Sequence, residues 1–307
     1  MWGDDVKYIR LTDKFPDQNQ RNEILRVLCE RYPEIQRGTL SKSLCGRSLE
    51  YLQLGEQSSQ TVLFAGAFHG MEWMTSLILL RFAERLGEAL HTGNRIADVD
   101  IGAFLRRRGI VIVPCVNPDG VEISLHGSVA AGCYQELVYH SSKGDTDHWQ
   151  ANARGVDINH NFNAGWEALH RLEQKSGIVS AGPTRYGGSR PESEPETRAI
   201  TRLCRQKNFR HALAFHSQGE EIYWHYGENM PDRALLMAQV MATSSGYAIS
   251  SPEGLAIGGG FKDWFITELR RPAFTIEVGL GKNPLPIQNF YQIYPRLEEM
   301  LILSAIM

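Results

Sequence analysis

His69 and Glu72 stand three residues apart in the stretch Phe64-Ala65-Gly66-Ala67-Phe68-His69-Gly70-Met71-Glu72. An imidazole nitrogen and a carboxylate oxygen are both good zinc ligands. Residues three apart share one side of a helical turn, so both can reach one ion. A β-type run, Thr61-Val62-Leu63-Phe64, leads into the pair, and a helical pattern over 75–90 leads out. The pair therefore falls at the carboxyl end of a strand, where open α/β sheets place their ligands. His-x-x-Glu is also an ordinary polar start to a helix, and two ligands do not close a metal site.

Two further polar residues end apolar runs. His216 follows Ala212-Leu213-Ala214-Phe215. A lone histidine there reads equally well as a hydrogen-bonded core residue; with His69 and Glu72 present it supplies a third ligand. A His, Glu, His set with one open position is of the catalytic rather than the structural type. Glu277 lies inside Thr275-Ile276-Glu277-Val278. A buried carboxylate without a partner is costly. Water on zinc is such a partner: zinc lowers its pKa to about 7, and a neighbouring carboxylate takes its proton.

Bringing these four side chains together requires several strands that end at one level. Periodicity predicts an amphipathic helix over 22–31, strands over 39–44 and 48–54 joined at Cys45-Gly46-Arg47, a central strand over 61–67, and the helix over 75–90. A strand over 109–116, apolar on both faces, reads as buried. Asn117-Pro118-Asp119-Gly120 reads as a turn, and 127–147 and 177–194 read as long surface loops. Arg106-Arg107-Arg108 reads as a solvated charge run. Ser193-Glu194-Pro195-Glu196 opens a helix through Cys204. Strands over 211–215 and 273–278, helices over 230–245 and 291–306, and a glycine hinge at 258–260 complete the pattern. Alternating strands and helices, with no repeat or linker, predict one α/β domain over 1–307. Its expected architecture is a central mixed, twisted sheet with helices on both faces, residues 1–58 leading into the sheet and the motifs lying over 60–280.

With 42% hydrophobic and 22% charged residues the chain has the composition of a soluble globule. A net charge of −3 gives no bulk attraction to nucleic acid or to an anionic membrane. No apolar run approaches the roughly 18 residues of a membrane span. The opening Met1-Trp2-Gly3-Asp4-Asp5 lacks the form of a secretory signal. Five scattered cysteines, at positions 29, 45, 115, 133 and 204, show no metal-like spacing and read as reduced thiols. The expectation is a cytoplasmic protein; oligomeric state is not specified.

The order of motifs resembles the zinc carboxypeptidase family. The matching pieces are His69-Gly70-Met71-Glu72, Asn117-Pro118-Asp119-Gly120, Gly155-Val156-Asp157-Ile158-Asn159, Tyr186-Gly187-Gly188 through Glu196, His216-Ser217, Gly259-Gly260 with Asp263-Trp264, and Thr275-Ile276-Glu277. The resemblance implies one zinc ion per chain on His69, Glu72 and His216, with Glu277 as general acid/base and Asn159 on a substrate carboxylate. Where the digestive members carry carboxylate-binding arginines, this chain has Met71 and His160. The oxyanion-stabilising arginine of the family falls at Gln150, with Arg154 as a candidate replacement, and the mobile tyrosine falls near Leu255. These losses mark either a dead site or a different substrate; the complete metal set with Glu277 favours the latter.

The strings from His216 to Trp224 and from Asp157 to Phe162 look like those of the bacterial γ-D-glutamyl-meso-diaminopimelate peptidases, a branch that cleaves murein peptides. Lys262 occupies the position lining the pocket beyond the scissile bond, where it suits a carboxylate-bearing side chain; a solvated surface lysine is the plain alternative. Asp263 or Glu220 would pair the ammonium of diaminopimelate, and His160 would join Asn159 and Lys262 around that residue. The resemblance thus implies a zinc peptidase for the γ-D-glutamyl–diaminopimelate bond; as the N-terminal wall-binding modules of some relatives are missing from this sequence, the expectation is action on soluble murein peptides inside the cell. The alternatives are a general carboxypeptidase for acidic C-terminal residues and a zinc-retaining murein-peptide binder that does not cut.

Overall fold

The computed structural model describes residues 15–58, 60–228 and 230–307. The opening residues read above as lacking a signal lie outside the described residues. In chain order the elements are α1 (Gln18–Arg31), β1 (Gln36–Lys42), β2 (Ser48–Gly55), β3 (Val62–Ala65), α2 (Met74–Thr92), a small hairpin of β4 (Arg95–Ile96) and β5 (Val99–Asp100), α3 (Ile101–Leu105) and β6 (Gly109–Val113). There follow α4 (Pro118–His126), α5 (Gln135–Ser142), α6 (Trp166–Lys175), α7 (Pro195–Lys207), β7 (His211–His216), β8 (Glu221–Tyr223), α8 (Ala234–Ser245), β9 (Ala248–Ser250), α9 (Phe261–Leu269), β10 (Ala273–Glu277) and α10 (Phe290–Ile306).

Eight strands form one mixed sheet in the order β1-β2-β6-β3-β7-β10-β8-β9. The four central strands β6, β3, β7 and β10 run parallel, and β2 and β8 flank them antiparallel. Strand periodicity splits each central strand between two cores. Val62 and Phe64 face the core shared with α1, α2, α8 and α10, whereas Leu63 and Ala65 face the core of α7 and α9. Helices therefore cover both faces, as the alternating pattern predicts. Phe64 is fully buried against Phe82 and Phe215, with ring centroids at 5.3 and 6.3 Å. Removing such a side chain from water contributes about 2–3 kcal/mol. All five cysteines are free thiols. Among the described residues no helix is long and apolar enough to cross a membrane.

Several expected turns and loops are helical. Asn117-Pro118-Asp119-Gly120 caps α4 instead of reversing the chain: the Asn117 side chain accepts from Gly120 N at 2.9 Å, and Pro118 takes the first helical position, where its missing N–H costs nothing. The same amide donates to the carbonyls of Phe68, Gln150 and Ala151 at 3.1 Å, so one buried side chain ties three segments together. The expected loop over 127–147 contains a 3-10 segment, Ser128–Tyr134, and α5. Helices α6 and α9 and the short strands β8 and β9 escaped the periodicity reading. The helix expected over 230–245 begins at Ala234.

Buried polar groups hold the 150–157 segment against α7. The Asn152 side chain donates to Glu194 at 2.8 Å and to Glu196 at 3.3 Å. Glu196 is fully buried, and its other oxygen has no partner among the described residues. Burial, reinforced by the charges of Asp119 and Glu194, pushes its carboxyl up to about 8. The folded chain then keeps a proton that the unfolded chain, at an ordinary 4.5, releases. The stabilisation is complete below about pH 4.5 and is lost as pH rises through about 8. We expect Glu196→Gln to flatten the decline in melting temperature between pH 5 and 8; an unchanged slope in thermal melts would place that decline elsewhere.

Candidate active site

Parallel register brings the chemistry together. β3 pairs β7, and β7 pairs β10 with Glu277 opposite His216. The chain beyond β3 turns back through Gly66–Phe68 and presents His69 at the same sheet end. Gly70 N donates to Gln150 O and Met71 N to Trp149 O, both at 2.9 Å, and a Cβ on Gly70 would lie 2.3 Å from Gly120 O. Only glycine permits this approach of the His69–Glu72 turn to its neighbours.

The buried Glu72 carboxylate lies between two histidines. His69 Nδ1 is 2.8 Å from Oε1 and His216 Nδ1 is 3.1 Å from Oε2. One ligand atom from each residue lies within 4.8 Å of the others, so the three could hold a metal ion. Phe68 stacks on His216 with centroids at 5.2 Å and fixes that ring. Burial alone would lower the pKa of His69, but the Glu72 and Asp157 carboxylates overcome it and raise it well above the usual value. Burial raises Glu72, and the neighbouring histidines more than reverse this. Two imidazoles and a carboxylate with matched charge are a fitting donor set for a divalent cation.

Glu277 faces the same space. Burial, with the Glu72 charge added, raises its pKa well above the ordinary carboxylate value. It opens on a cavity of about 310 Å³ that His69, His216, Gln150, Asn159, His160, Lys262, Asp263, Leu255, Tyr223 and Arg185 also line. The Gln150 amide oxygen accepts from the Thr184 hydroxyl, and the Asn159 amide oxygen accepts from Phe261 N at 3.0 Å. Each amide therefore keeps its N–H donors for the cavity. His160 Nδ1 meets the buried Glu173 at 2.8 Å.

Lys262 is not a solvated lysine. It is 5% exposed, donates to Asp263 and to His225 O at 2.8 Å, and lies over the Tyr226 ring. Asp263 also accepts from Gly258 N at 2.8 Å, which fixes the glycine segment expected to be a hinge.

Two sequence candidates lie elsewhere. Arg154 does not reach the cavity. Asn152 Oδ1 accepts from Arg154 N and Val156 N, and Gly155 takes φ +71°, so the chain turns sharply and points Arg154 outward. Its guanidinium pairs with Glu194 at 2.9 Å and lines a separate groove with Arg190 and Arg198. Glu220, at φ +54° before β8, pairs with Arg296 and does not line the cavity.

Asp157, quoted above only as part of a motif, has a place at the site. Its Oδ1 lies 3.2 Å from His69 Nε2 and accepts from Asn159 N at 3.1 Å, and its Oδ2 accepts from Arg185 N at 2.9 Å. The available signal was chemical: a ligating histidine needs its second nitrogen oriented, commonly by a carboxylate. Tyr223 and Arg185 carried no such signal.

The profile of the zinc carboxypeptidase family matches residues 22–301. The chain belongs to the zinc carboxypeptidase family. Within it, γ-D-glutamyl-L-diamino acid endopeptidase 1 of Lysinibacillus sphaericus is 34% identical over 273 residues, covering 88% of this chain and 67% of that protein. Bovine thrombin-activatable fibrinolysis inhibitor, solved with a tick carboxypeptidase inhibitor, aligns with a TM-score of 0.73 at 20% identity over 95% of this chain and 96% of that one. The murein-tripeptide amidase MpaA of Escherichia coli O157 aligns at 0.53 and 21% identity over 87% and 91%. Both structures share the zinc carboxypeptidase fold with this chain.

The contact between Asp157 and His69 predicts the outcome of Asp157→Asn. Zinc affinity should fall by about 10–100-fold, measured by chelator competition, with the fold retained. Equal affinity in the variant would show that the carboxylate does not tune that imidazole.

Proposed function

We propose that this chain is a zinc peptidase for the γ-D-glutamyl–diamino acid bond of murein peptides, with one zinc ion held by His69, Glu72 and His216. The observation that carries the reading is the convergence of that donor set, Glu277 and the buried Lys262 on one cavity. The similarity to a γ-D-glutamyl-L-diamino acid endopeptidase supports the choice of bond. Bound zinc would supply Lewis-acid polarisation of the amide carbonyl and acidify water.

The protein groups do the rest. Glu277, which faces the same cavity as His69 and His216, takes the proton of the attacking water and returns it to the leaving nitrogen. The N–H donors of Gln150 steady the developing oxyanion in place of a guanidinium. Asn159, with His160 beside it, holds the leaving diamino acid by its carboxylate. Lys262 meets a second carboxylate deeper in the cavity, as an α-linked neutral side chain would not require. Asp263 anchors Lys262 and the glycine segment; Arg154 and Glu220, outside the cavity, have no part in this scheme.

Purified, zinc-loaded protein should release free diaminopimelate from L-Ala-γ-D-Glu-diaminopimelate, read by mass spectrometry, and leave an all-L peptide ending in Glu intact. The reverse preference would assign a general acidic carboxypeptidase, and binding without product would assign a murein-peptide binder. Glu277→Gln should lower kcat by about 10²–10⁴-fold with tripeptide binding retained. Lys262→Ala should act chiefly on KM; a pure kcat effect would remove Lys262 from substrate recognition.

A further inference from the structure

We propose that Arg185 makes the site select a γ-linked glutamyl group: its guanidinium binds the free α-carboxylate on the acyl side of the scissile amide. This inference deepens the function proposed above and rests on it. Two long cationic side chains line the cavity, Lys262 and Arg185. Lys262 is 5% exposed and held by Asp263 and the His225 carbonyl. Arg185 is exposed, and its guanidinium has no hydrogen bond or ion pair among the described residues. A guanidinium that lines a site and has no carboxylate of its own is free to take one from a ligand, with two parallel N–H donors matched to two oxygens.

The backbone that carries Arg185 is held more firmly than its side chain. Its N–H donates to Asp157 Oδ2 at 2.9 Å, and Asp157 Oδ1 lies 3.2 Å from His69 Nε2. The preceding residues are anchored as well: the Thr184 hydroxyl donates to Gln150, and the Pro183 carbonyl accepts from Gln150 N and Ala151 N at 2.9 and 3.0 Å. Arg185 itself takes φ +64°, a left-handed conformation uncommon for a residue with a side chain. Such a conformation persists where surrounding bonds over-determine it. The guanidinium is thus carried on a fixed base bonded to Gln150 and Asp157, whereas Lys262 sits at the start of α9, where Phe261 N donates to Asn159.

The two cationic groups, on separate segments of the chain, suit the two sides of the proposed bond. In an α-linked peptide the acyl residue has spent its α-carboxylate in the backbone. A glutamyl residue joined through its side chain keeps that carboxylate, a short aliphatic spacer away from the carbonyl that reacts. The segment bonded to Gln150, the residue proposed to face the oxyanion, is where such a group would lie, and Arg185 supplies its countercharge. Lys262 and Asn159 then serve the leaving amine side.

The test compares L-Ala-γ-D-Glu-diaminopimelate with the same tripeptide whose D-Glu α-carboxylate is an amide. The parent enzyme should prefer the carboxylate form by about 10–100-fold in kcat/KM, mainly through KM. Arg185→Ala should lose that factor on the carboxylate form and leave the amide form unchanged; Arg185→Gln should behave alike, and Arg185→Lys should recover part of the preference. Melting temperatures should match the parent, since the side chain is exposed and holds nothing. Calorimetric titration of both tripeptides into Glu277→Gln, with and without Arg185→Ala, should give the same selectivity in binding alone. Equal losses on both tripeptides, or a parent enzyme indifferent to the amide, would overturn the assignment while leaving the proposed function standing. A parent enzyme that cleaves neither tripeptide yet cleaves an α-linked peptide would overturn both.

Discussion

The Glu72 carboxylate between His69 and His216 is the contact on which the rest of the site depends. It places acidic and basic groups largely out of solvent, where an uncompensated charge is expensive. The arrangement is tolerable because three conditions hold together: parallel strands end at one level, Gly70 lets the turn approach Gly120 and Trp149, and Asp157 answers the far side of His69. A divalent cation in the same place would satisfy all three donors at once. The neighbouring Glu277, raised by burial and by Glu72, belongs to the same electrostatic balance.

The legible parts of the sequence were those in which one physical cause dominates. The central strands announced themselves because both faces are buried and their interiors are apolar, as in Gly109–Val113 and 212–215. His69, Glu72, His216 and Glu277 were legible as polar interruptions of such runs. Asn117-Pro118-Asp119-Gly120 was ambiguous because the residues that favour a turn also favour a helix cap; tertiary bonds from the Asn117 side chain decided for the cap. Helix α5 lay hidden in a polar stretch where only Val138 is buried, too little to make a periodic signal.

Side-chain direction in irregular segments was the least legible property. Arg154 is near Gln150 in sequence, yet the tight turn about Asn152 and Gly155 sends it to the other side of the chain. Arg185 lies 35 residues from Gln150 and shares its cavity, through bonds that no local pattern encodes. Lys262 could not be distinguished from a surface lysine until the His225 carbonyl and Asp263 were seen to enclose it. His216 and Glu277 thus end parallel strands and His69 and Glu72 sit on the tight turn after β3, whereas Gln150, Asn159 and Arg185 lie outside the strands and Lys262 at a helix start; under the proposed function, side chains outside the strands can change with less cost to the fold.

Asp157 bridges that division. A single carboxylate touches His69, the backbone of Arg185 and the backbone of Asn159. Replacing Arg185 or Lys262 alters one cavity side chain, whereas a change at position 157 removes the contact to His69 and the bonds to the Arg185 and Asn159 backbones in one step. Of the side chains around this cavity, Asp157 is therefore a keystone: its loss would loosen three separate segments together.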